Sequence, residues 1–414
     1  MQIIRVKVDG LPLFDDSLDI NFLTESRVTV DEKHELIRLF NNFYVNRTLT
    51  FTGLNASGKT QILNILAFSL KLLQAESINY KPAINITPGN DYNVLNIDVT
   101  DEITFSIYFH HGDSLYKLET VITREVDSGT NENRYKIISE NLKRKTITTK
   151  IRSKKDIFTF NDDTTIEVDV RDNNKERFLA LNSDVSMIQV YYKQKKISKI
   201  FYSDLLSYTN FNLLSGLGKV PKELVEFLDP SIEKVEFKKN NSSKAINVSI
   251  KFKHSHRDLY LDSIAELNTV LSSGTVKGLG LFMNAMLTLS KGGIMIVDEL
   301  ENHFNREIAS TLIRWFLDRK VNINNAVLVY STHYAELLDI LERNDSIYVV
   351  SKSSHISIER FSKVLKRNDI RRSVQFINGL LSSTAPSYSS ENNLRKFFIA
   401  KQKENLAETE ENAE

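Results

Sequence analysis

Eight consecutive residues have the types and the spacing that hold a chain of phosphates. They read Gly-Leu-Asn-Ala-Ser-Gly-Lys-Thr from Gly53 to Thr60 and fit G-x-x-x-x-G-K-[ST] at every fixed position. In such a loop the backbone N–H groups surround the phosphates, the Lys59 ammonium reaches the outer phosphates, and the Thr60 hydroxyl is a ligand for Mg²⁺. The loop therefore predicts a bound nucleotide with a magnesium ion.

A second group of chemistry-bearing residues follows an apolar run. Ile294 to Val297 predicts a buried parallel strand, with Asp298 and Glu299 at its carboxyl end, where α/β sheets bind their ligands. Beside a phosphate loop, Asp298 is suited to hold Mg²⁺ through water, and Glu299 is suited to polarise an attacking water as a general base. The alternative is a buried strand that ends in two solvated carboxylates.

A third group is a turn rich in hydroxyl groups, which begins at Leu271 and opens an apolar helix that runs to about Leu289. Ser272, Ser273 and the Gly274 amide are placed to form an anion site at the start of this helix. The alternative is a plain serine N-cap, which needs no ligand.

A histidine follows a further buried strand within the segment from Ala326 to Tyr334, which contains Ser331-Thr332-His333. At the carboxyl edge of a strand, the His333 ring would reach a γ-phosphate or the attacking water. The alternative is a histidine with a purely structural role.

The elements that position these residues follow from the periodicity of apolar residues. Thr48–Thr52 predicts a strand that leads into the phosphate loop, and Lys59–Ala75 predicts a helix with an apolar face. The N-terminus of that helix points its amides at the phosphates. Met1 to about Phe22 predicts two strands around a turn, and period two over 93–170 predicts an antiparallel meander. Other predicted elements are helices at His34–Asn42, Phe201–Ser215 and Lys222–Leu228, and strands at Leu95–Val99, Ile103–Phe109, Tyr116–Ile122, Thr165–Val170, Val235–Lys238 and Ile246–Phe252.

The composition excludes several other classes of protein. The chain of 414 residues is 41% hydrophobic and 26% charged, as in ordinary globular proteins. Its net charge of +1 provides no overall attraction to nucleic acid or membrane. The absence of cysteine excludes disulfides and thiolate zinc sites. Because the N-terminus lacks a signal-peptide pattern and polar residues interrupt the most apolar stretch, Leu281–Val297, we expect a cytoplasmic protein without a membrane partner.

Two basic runs are candidates for contact with nucleic acid, one in 143–155 and one in 193–199. Acidic residues flank the first run and no aromatic residue interleaves within it, so we favour a solvated hairpin over a nucleic-acid contact. The basic residues are Lys143, Arg144, Lys145, Lys150, Arg152, Lys154 and Lys155 in the first run, and Lys193, Lys195, Lys196 and Lys199 in the second.

The order of the four motifs resembles that of ABC/SMC-type ATPase heads. More narrowly, Leu-Ser-Ser-Gly-Thr, Asp-Glu-Leu-Glu-Asn-His-Phe-Asn and Ser-Thr-His resemble stand-alone ATPases grouped with OLD-like and abortive-infection proteins. Segments that follow, including Ile370-Arg-Arg and Gly379 to Pro386, resemble the C-terminal part of that group. The implied fold class is an α/β P-loop NTPase of the ABC/SMC-head type, with a mixed sheet, flanking helices and an inserted antiparallel β and helical region.

The resemblance also implies a domain organisation. The ATPase head would comprise 1–80 and 260–400, the insertion would comprise 81–259, and an acidic tail would comprise 401–414. A Q-loop glutamine is not located by the resemblance, and Gln189 and Gln194 are weak candidates because both lie far along the chain from the phosphate loop.

The same resemblance implies a role for each motif. Lys59 would bind ATP and act in catalysis, Asp298 would hold Mg²⁺ together with Thr60, Glu299 would activate water, and His333 would be the switch histidine. The Ser-Ser-Gly turn would contact the γ-phosphate on a second subunit, so the active unit would be a dimer. The implied ATP contacts are Gly53, Asn55, Ala56, Ser57, Gly58, Lys59 and Thr60 in one subunit and Ser272, Ser273 and Gly274 in the other.

The segment after His333 bears on the partners that the resemblance implies. OLD-family nucleases join such a head to a metal-dependent TOPRIM domain, whereas the roughly 80 residues here hold no Asp-x-Asp pair. We therefore expect an ATPase that controls a separate effector in bacterial defence against phage. The alternatives are a RecF/SMC-like DNA repair or recombination head that binds DNA with ATP, and a nucleotide-gated scaffold without meaningful turnover.

Overall fold

The fold is that of a computed structural model. It describes residues 1–15, 17–79, 93–99, 101–126, 133–149, 151–161, 164–171, 178, 181–195, 197, 199–206, 218–239, 246–302, 304–365, 371–377 and 388–411.

The described part of the chain contains both strands and helices, and five strands precede the first α-helix. The strands are β1 (Gln2–Asp9), β2 (Ser17–Asn21), β3 (Leu36–Phe40), β4 (Phe43–Asn46), β5 (Thr48–Thr52), β6 (Ile103–His111), β7 (Ser114–Val126), β8 (Asn133–Thr146), β9 (Thr165–Val170), β10 (Tyr202–Leu205), β11 (Ile232–Lys239), β12 (Ile246–Phe252), β13 (Leu259–Leu261), β14 (Ile294–Val297), β15 (Val327–Thr332), β16 (Ile347–Lys352) and β17 (Ile356–Arg360). The α-helices are α1 (Lys59–Gln74), α2 (Lys154–Phe158), α3 (Ile188–Lys195), α4 (Lys222–Leu228), α5 (Leu267–Val270), α6 (Ser273–Lys291), α7 (Arg306–Leu317), α8 (Phe361–Val364), α9 (Arg372–Ile377) and α10 (Tyr388–Glu411).

A six-stranded sheet carries the phosphate loop. Its order is β10-β14-β15-β5-β16-β17, and every pairing is parallel except that of β16 with β17. Strands β5, β14 and β15 are buried at every residue, as expected for parallel strands that are covered on both faces. The strand that leads to His333 therefore lies between the phosphate-loop strand and the Asp298 strand.

A second six-stranded sheet is antiparallel, in the order β2-β1-β6-β7-β8-β9. Strand β7 largely alternates between buried and partly exposed residues, the pattern of a sheet with one face on the core. Helix α1 packs between the two sheets, and Phe68 of α1 stacks on Phe105 of β6 with ring centroids 5.5 Å apart. The helix after the phosphate loop is thereby held from both sides.

The parallel sheet separates two hydrophobic clusters. Leu49 and Val329 belong to the cluster that contains α1, whereas Leu328 and Tyr330 belong to the cluster that contains α6 and α7. Alternate residues of one strand point to opposite faces, so β14 and β15 contribute apolar residues to both clusters, whereas the apolar residues of β5 belong to the cluster that contains α1. Within the described residues no helix is long and apolar enough to cross a membrane.

Most of the predicted elements are confirmed. The structure contains the two N-terminal strands, the helix after the phosphate loop, the helix at Lys222–Leu228 and the strands predicted within 103–170, 232–239 and 246–252. The mixed α/β class, with a parallel sheet, an antiparallel sheet and flanking helices, is also confirmed.

Two predicted helices are wrong where the structure describes them. Leu36 pairs with Asn46 in the β3–β4 hairpin, which buries Leu36 and Ile37, so this segment is a strand and not part of a helix at His34–Asn42. Tyr202–Leu205 is the edge strand β10, because β14 supplies parallel backbone partners for it. Residues 207–215 of that second helix lie outside the described residues.

A further predicted strand is wrong, and strand β8 within the predicted meander was not singled out from the sequence. Leu95–Val99 is not a strand: the Asn93 side chain accepts a hydrogen bond from the Ile97 amide at 3.1 Å and donates one to the Ile97 carbonyl at 2.8 Å. Buried side chains of Leu95 and Ile97 produce its apolar pattern without a β-ladder. Strand β8 was not predicted because frequent charged residues obscure its alternation.

The sheets also cross the predicted boundary at residue 81. Strand β1 pairs with β6, and β10 joins the parallel sheet. The division into a head over 1–80 and 260–400, an insertion over 81–259 and a tail over 401–414 stays a prediction. The segment 81–259 shares backbone pairing with both ends of the chain.

Candidate nucleotide-binding site

The phosphate loop connects β5 to α1, and two of its glycines have no room for a side chain. Gly53 has φ +156°, and a Cβ there would lie 2.2 Å from the Val350 carbonyl oxygen. Gly58 has φ +103°, and a Cβ there would lie 2.5 Å from the Ile356 side chain. Glycine is therefore required at both positions, because it tolerates positive φ and close packing of the backbone.

Lys59 starts α1 and turns back over the loop. Its side chain is buried, with 5% of the residue exposed, and Nζ donates to the Gly53 carbonyl at 3.1 Å and to the Leu54 carbonyl at 2.6 Å. Burial lowers the pKa of Lys59, while the charges of Asp298, Glu299 and Glu301 act in the opposite direction. A partly desolvated cation held by neutral carbonyls favours an incoming anion.

Thr60 and Asp298 come from different elements and meet at the carboxyl edge of the parallel sheet. Thr60 Oγ1 donates to Asp298 Oδ2 at 2.6 Å. A hydroxyl and a carboxylate are the hard oxygen donors that Mg²⁺ prefers, and it usually takes one or two protein ligands of this kind beside phosphates and waters. This donor pair fits a magnesium ion, and the glycine cradle beside it fits phosphates.

Glu299 lies at the same edge, in a backbone conformation that is unusual for a residue other than glycine. Its φ is +48°, and such strain clusters at functional sites. Its amide donates to Ser331 Oγ at 2.7 Å, and Asn302 Nδ2 donates to its Oε2 at 3.3 Å. His333 Nε2 lies 3.7 Å from Glu299 Oε1, so the predicted base and the predicted switch histidine are neighbours.

Two residues that sequence reasoning missed, Ser331 and Glu301, hold these groups in place. Ser331 Oγ also donates to Asp298 Oδ1 at 2.5 Å. Glu301 is 6% exposed, and its Oε1 accepts the His333 backbone N–H at 2.5 Å. The position of Glu301, two residues after Glu299 on a turn, was the only signal in the sequence, and the long-range contact with His333 could not be inferred from it.

A cavity of about 400 Å³ opens between these groups. It gathers Glu299 and His333 with the phosphate loop, and Gln189 and Gln194 do not line it. Four lining residues were not predicted, among them Lys352, which adds a cation from the end of β16. The lining residues are Leu13, Asn55, Ala56, Ser57, Gly58, Lys59, Thr60, Gln61, Glu299, His333, Lys352 and Ile356.

The Ser-Ser-Gly turn does not contribute to the lining of this cavity. Ser272 is the N-cap of α6, and its Oγ accepts from the Thr275 amide at 3.0 Å, so the structural role of an N-cap is present. Ser272 and Ser273 are exposed and Gly274 is partly exposed. Within one chain these three residues do not line the cavity that holds the phosphate loop.

The basic run at 143–155 does not form one continuous charged surface. Lys143, Arg144 and Lys145 lie in strand β8, and Lys145 is 2% exposed, with Nζ donating to the carbonyls of Asp156 and Thr159. The prediction of a solvated hairpin is therefore wrong for Lys145, because the strand turns its side chain inward. Lys150 of this run and Lys196 of the second run lie outside the described residues.

Comparison with known proteins identifies a matching family. A family model described as "AAA domain, putative AbiEii toxin, Type IV TA system" matches residues 49–339. The matched segment contains the phosphate loop, the Ser-Ser-Gly turn, Asp298 and His333. No curated protein matches the chain.

Proposed function

The chain belongs to this AAA-domain family, whose model covers more than half of its 414 residues, and from that premise we propose that it hydrolyses ATP as a dimer and controls a separate effector. The family implies an ATPase domain in general. We propose further that the domain is of the ABC/SMC-head type, is OLD-like, and acts in defence against phage.

The proposal of an ATPase is based on the hydrogen bond that Thr60 Oγ1 donates to Asp298 Oδ2 at 2.6 Å. ATP bound with Mg²⁺ supplies a γ-phosphoryl group that is open to attack by water. Lys59 and the loop amides bind and orient the phosphates, and the Thr60–Asp298 pair provides the oxygen ligands. Glu299 accepts the proton of the attacking water, and His333, 3.7 Å from Glu299 Oε1, orients that carboxylate.

The exposed Ser-Ser-Gly turn supports the proposal of a dimer. Its three residues begin a helix of 19 residues, and helix N-termini attract phosphates. Because the turn does not line the cavity of its own chain, we propose that it contacts the γ-phosphate bound to a second copy. Two ATP molecules would then lie between two copies of the head, each contacted by both chains.

Mixing of inactive variants tests the dimer. Lys59→Ala removes the phosphate contact of a chain, and Ser273→Arg blocks its turn, so each variant alone is expected to be inactive. After mixing and exchange, a heterodimer keeps one site with an intact loop and an intact turn. About half of the dimers would be heterodimers with one working site of two, so roughly a quarter of the wild-type ATPase activity should return.

The matched control mixes Lys59→Ala with Glu299→Gln. Lys59 and Glu299 both belong to the chain whose phosphate loop binds the ATP. Each site of a heterodimer therefore contains one of the two changes, and no activity should return. Full activity of Ser273→Arg alone would exclude the proposed contact of the turn with ATP on a second copy, but not the ATPase. Loss of activity in Lys59→Ala tests the ATPase separately.

Control of a separate effector has its own test. The purified protein is expected to show no nuclease activity that persists in Lys59→Ala. Strong cleavage of DNA or RNA by that variant would contradict the proposal, because the effector chemistry would then belong to this chain.

A further inference from the structure

A second cavity lies away from the phosphate loop. It has a volume of about 370 Å³ and is bounded by the 23–28 loop, the β3–β4 hairpin and the start of α2. It shares no lining residue with the first cavity, which has a volume of about 400 Å³. Its volume is within the range of small-molecule sites.

The lining of this cavity has an excess of positive charge. Three cations, Arg27, Lys33 and Lys154, face one carboxylate, Glu25. Glu25 is engaged elsewhere: its Oε2 accepts from the Ser362 hydroxyl at 2.5 Å, and its Oε1 lies 3.6 Å from Arg360 Nη1. Within the described residues Glu25 therefore forms no ion pair with Arg27 or Lys33.

The three cations are available to a ligand in different ways. Arg27 and Lys33 are exposed, and their side chains have no hydrogen-bond or ion-pair partner in the described ranges. Lys154 Nζ donates to the Glu25 carbonyl at 2.5 Å. Burial lowers the pKa of Lys154, with the charges of Asp345 and Glu25 opposing this effect, so Lys154 is a partly desolvated cation at the wall of the cavity.

The loop that forms one side is held rigidly by a buried ion pair. Asp345 Oδ2 accepts from the Glu25 amide at 2.6 Å and from the Ser26 amide at 3.2 Å. Arg343 Nε donates to Asp345 Oδ1 at 3.0 Å, and Arg343 and Asp345 are both buried. A cavity with a pre-organised wall loses little entropy when a ligand binds.

The β3–β4 hairpin adds an aromatic residue and an amide to the lining. Phe43 is partly buried and packs on Phe40 with ring centroids 5.3 Å apart, and Asn42 and Tyr44 line the cavity beside it. Aromatic rings stack on nucleic-acid bases, and the amide of asparagine both donates and accepts hydrogen bonds.

We propose that this cavity binds a nucleotide, with its phosphate on Arg27, Lys33 and Lys154 and its base against Phe43. Guanidinium and ammonium groups are the usual phosphate ligands. The nucleotide is either a free mononucleotide or one unit of a nucleic-acid strand, since both carry the same phosphate and base. This site is independent of the ATP site and of the function proposed above.

The test measures binding to the full chain by calorimetry, with AMP, inorganic pyrophosphate and a short single-stranded oligonucleotide as probes. Lys59→Ala serves as the background, because it weakens binding at the phosphate loop. AMP or the oligonucleotide is expected to bind at one site per chain. Arg27→Ser/Lys33→Ser should lower that affinity about ten-fold or more, as the loss of charge-assisted hydrogen bonds predicts.

Matched variants separate charge from stacking. Arg319→Ser/Lys320→Ser removes an exposed Arg–Lys pair elsewhere and should leave the affinity unchanged. Phe43→Leu keeps an apolar side chain but removes the ring, so it should weaken AMP or oligonucleotide binding about five-fold or more while pyrophosphate binding stays unchanged. The Phe43→Leu result is independent of whether the double variant folds.

The outcomes are distinct. Binding of AMP supports a free nucleotide as ligand, and binding of the oligonucleotide without AMP supports a nucleic-acid strand. Absence of both in the Lys59→Ala background overturns the proposal. Binding that is unaffected by both Arg27→Ser/Lys33→Ser and Phe43→Leu also overturns it, because the ligand would then lie elsewhere.

Discussion

The Ser331 hydroxyl lies 2.5 Å from Oδ1 of Asp298 and donates a hydrogen bond to it. The Ser331 hydroxyl oxygen also accepts a hydrogen bond from the Glu299 backbone N–H at 2.7 Å, and Ser331 is 0% exposed. One buried hydroxyl on β15 therefore links the proposed metal carboxylate to the backbone of the proposed base. Glu299 has φ +48°, and this hydrogen bond helps to hold that strained conformation.

Ser331→Ala is expected to lower kcat for ATP hydrolysis about ten-fold or more, because a hydrogen bond to a charged group contributes about 1.5–3 kcal/mol. Affinity for ATP should change little, since Lys59 and the phosphate loop are intact. Steady-state kinetics at several Mg²⁺ concentrations would measure both effects, and the Mg²⁺ requirement should rise as Asp298 loses its partner.

Ser310→Ala is the control for that change. Ser310 is also buried, but it lies in α7 and outside the nucleotide cavity. Its removal should leave kcat unchanged. Wild-type turnover in Ser331→Ala, or an equal loss in both variants, would contradict the role assigned to Ser331.

Lys59→Ala separates ligand binding from folding. Without nucleotide, the loss of two hydrogen bonds to carbonyls is offset by removal of a buried cation, so we expect the free energy of unfolding to change by less than about 1 kcal/mol. With Mg-ATP at a hundred times its Kd, the wild type should gain about 2.7 kcal/mol and the variant should gain almost nothing. Thermal melts with and without Mg-ATP would show this, and an undiminished ATP-dependent shift in the variant would exclude Lys59 as a phosphate ligand.

Two substitutions at Glu301 test how His333 is positioned. Glu301→Gln keeps an oxygen acceptor for the His333 amide and should retain most of the turnover. Glu301→Leu leaves that part-buried N–H without its acceptor, so it should destabilise the fold by about 1 kcal/mol and lower kcat. Urea titrations and kinetics on both variants provide the comparison, and equal turnover in the two would show that the contact does not matter for catalysis.

Glu35 predicts a pH dependence of stability. Burial, together with the charge of Glu342, raises its pKa from 4.5 to about 7. Between pH 4.5 and about pH 7 the Glu35 carboxyl is therefore protonated in the folded state and ionised in the unfolded state. Because the folded pKa is the higher one, the stabilisation is complete below pH 4.5 and is lost as the pH rises to about 7, by about 3 kcal/mol.

Glu35→Gln should remove this contribution, since an amide does not titrate. Urea midpoints of wild type and variant, measured at pH 5 and at pH 8, would show the variant gaining stability relative to wild type at the higher pH. The same difference at both pH values would mean that Glu35 does not titrate in this range.

The sequence by itself determined the parts of the site that depend on neighbouring residues. The phosphate loop, the strand before it and the helix after it follow from glycine conformation and apolar period, which act over a few residues. Asp298 and Glu299 could be found because a buried strand ends beside them. The helix predicted at Phe201–Ser215 shows the limit, because pairing with β14 overrode the local pattern at Tyr202–Leu205.

Only the tertiary structure decided which distant residues meet. Ser331 contacts Asp298 across 33 positions of the chain, and Glu301 contacts His333 across 32, because β14 and β15 are parallel neighbours. Lys145 belongs to a basic run, yet β8 turns it into the protein. Such contacts depend on strand order and register. These decide which residues are neighbours in space, but they cannot be read from the types of the residues adjacent in the sequence.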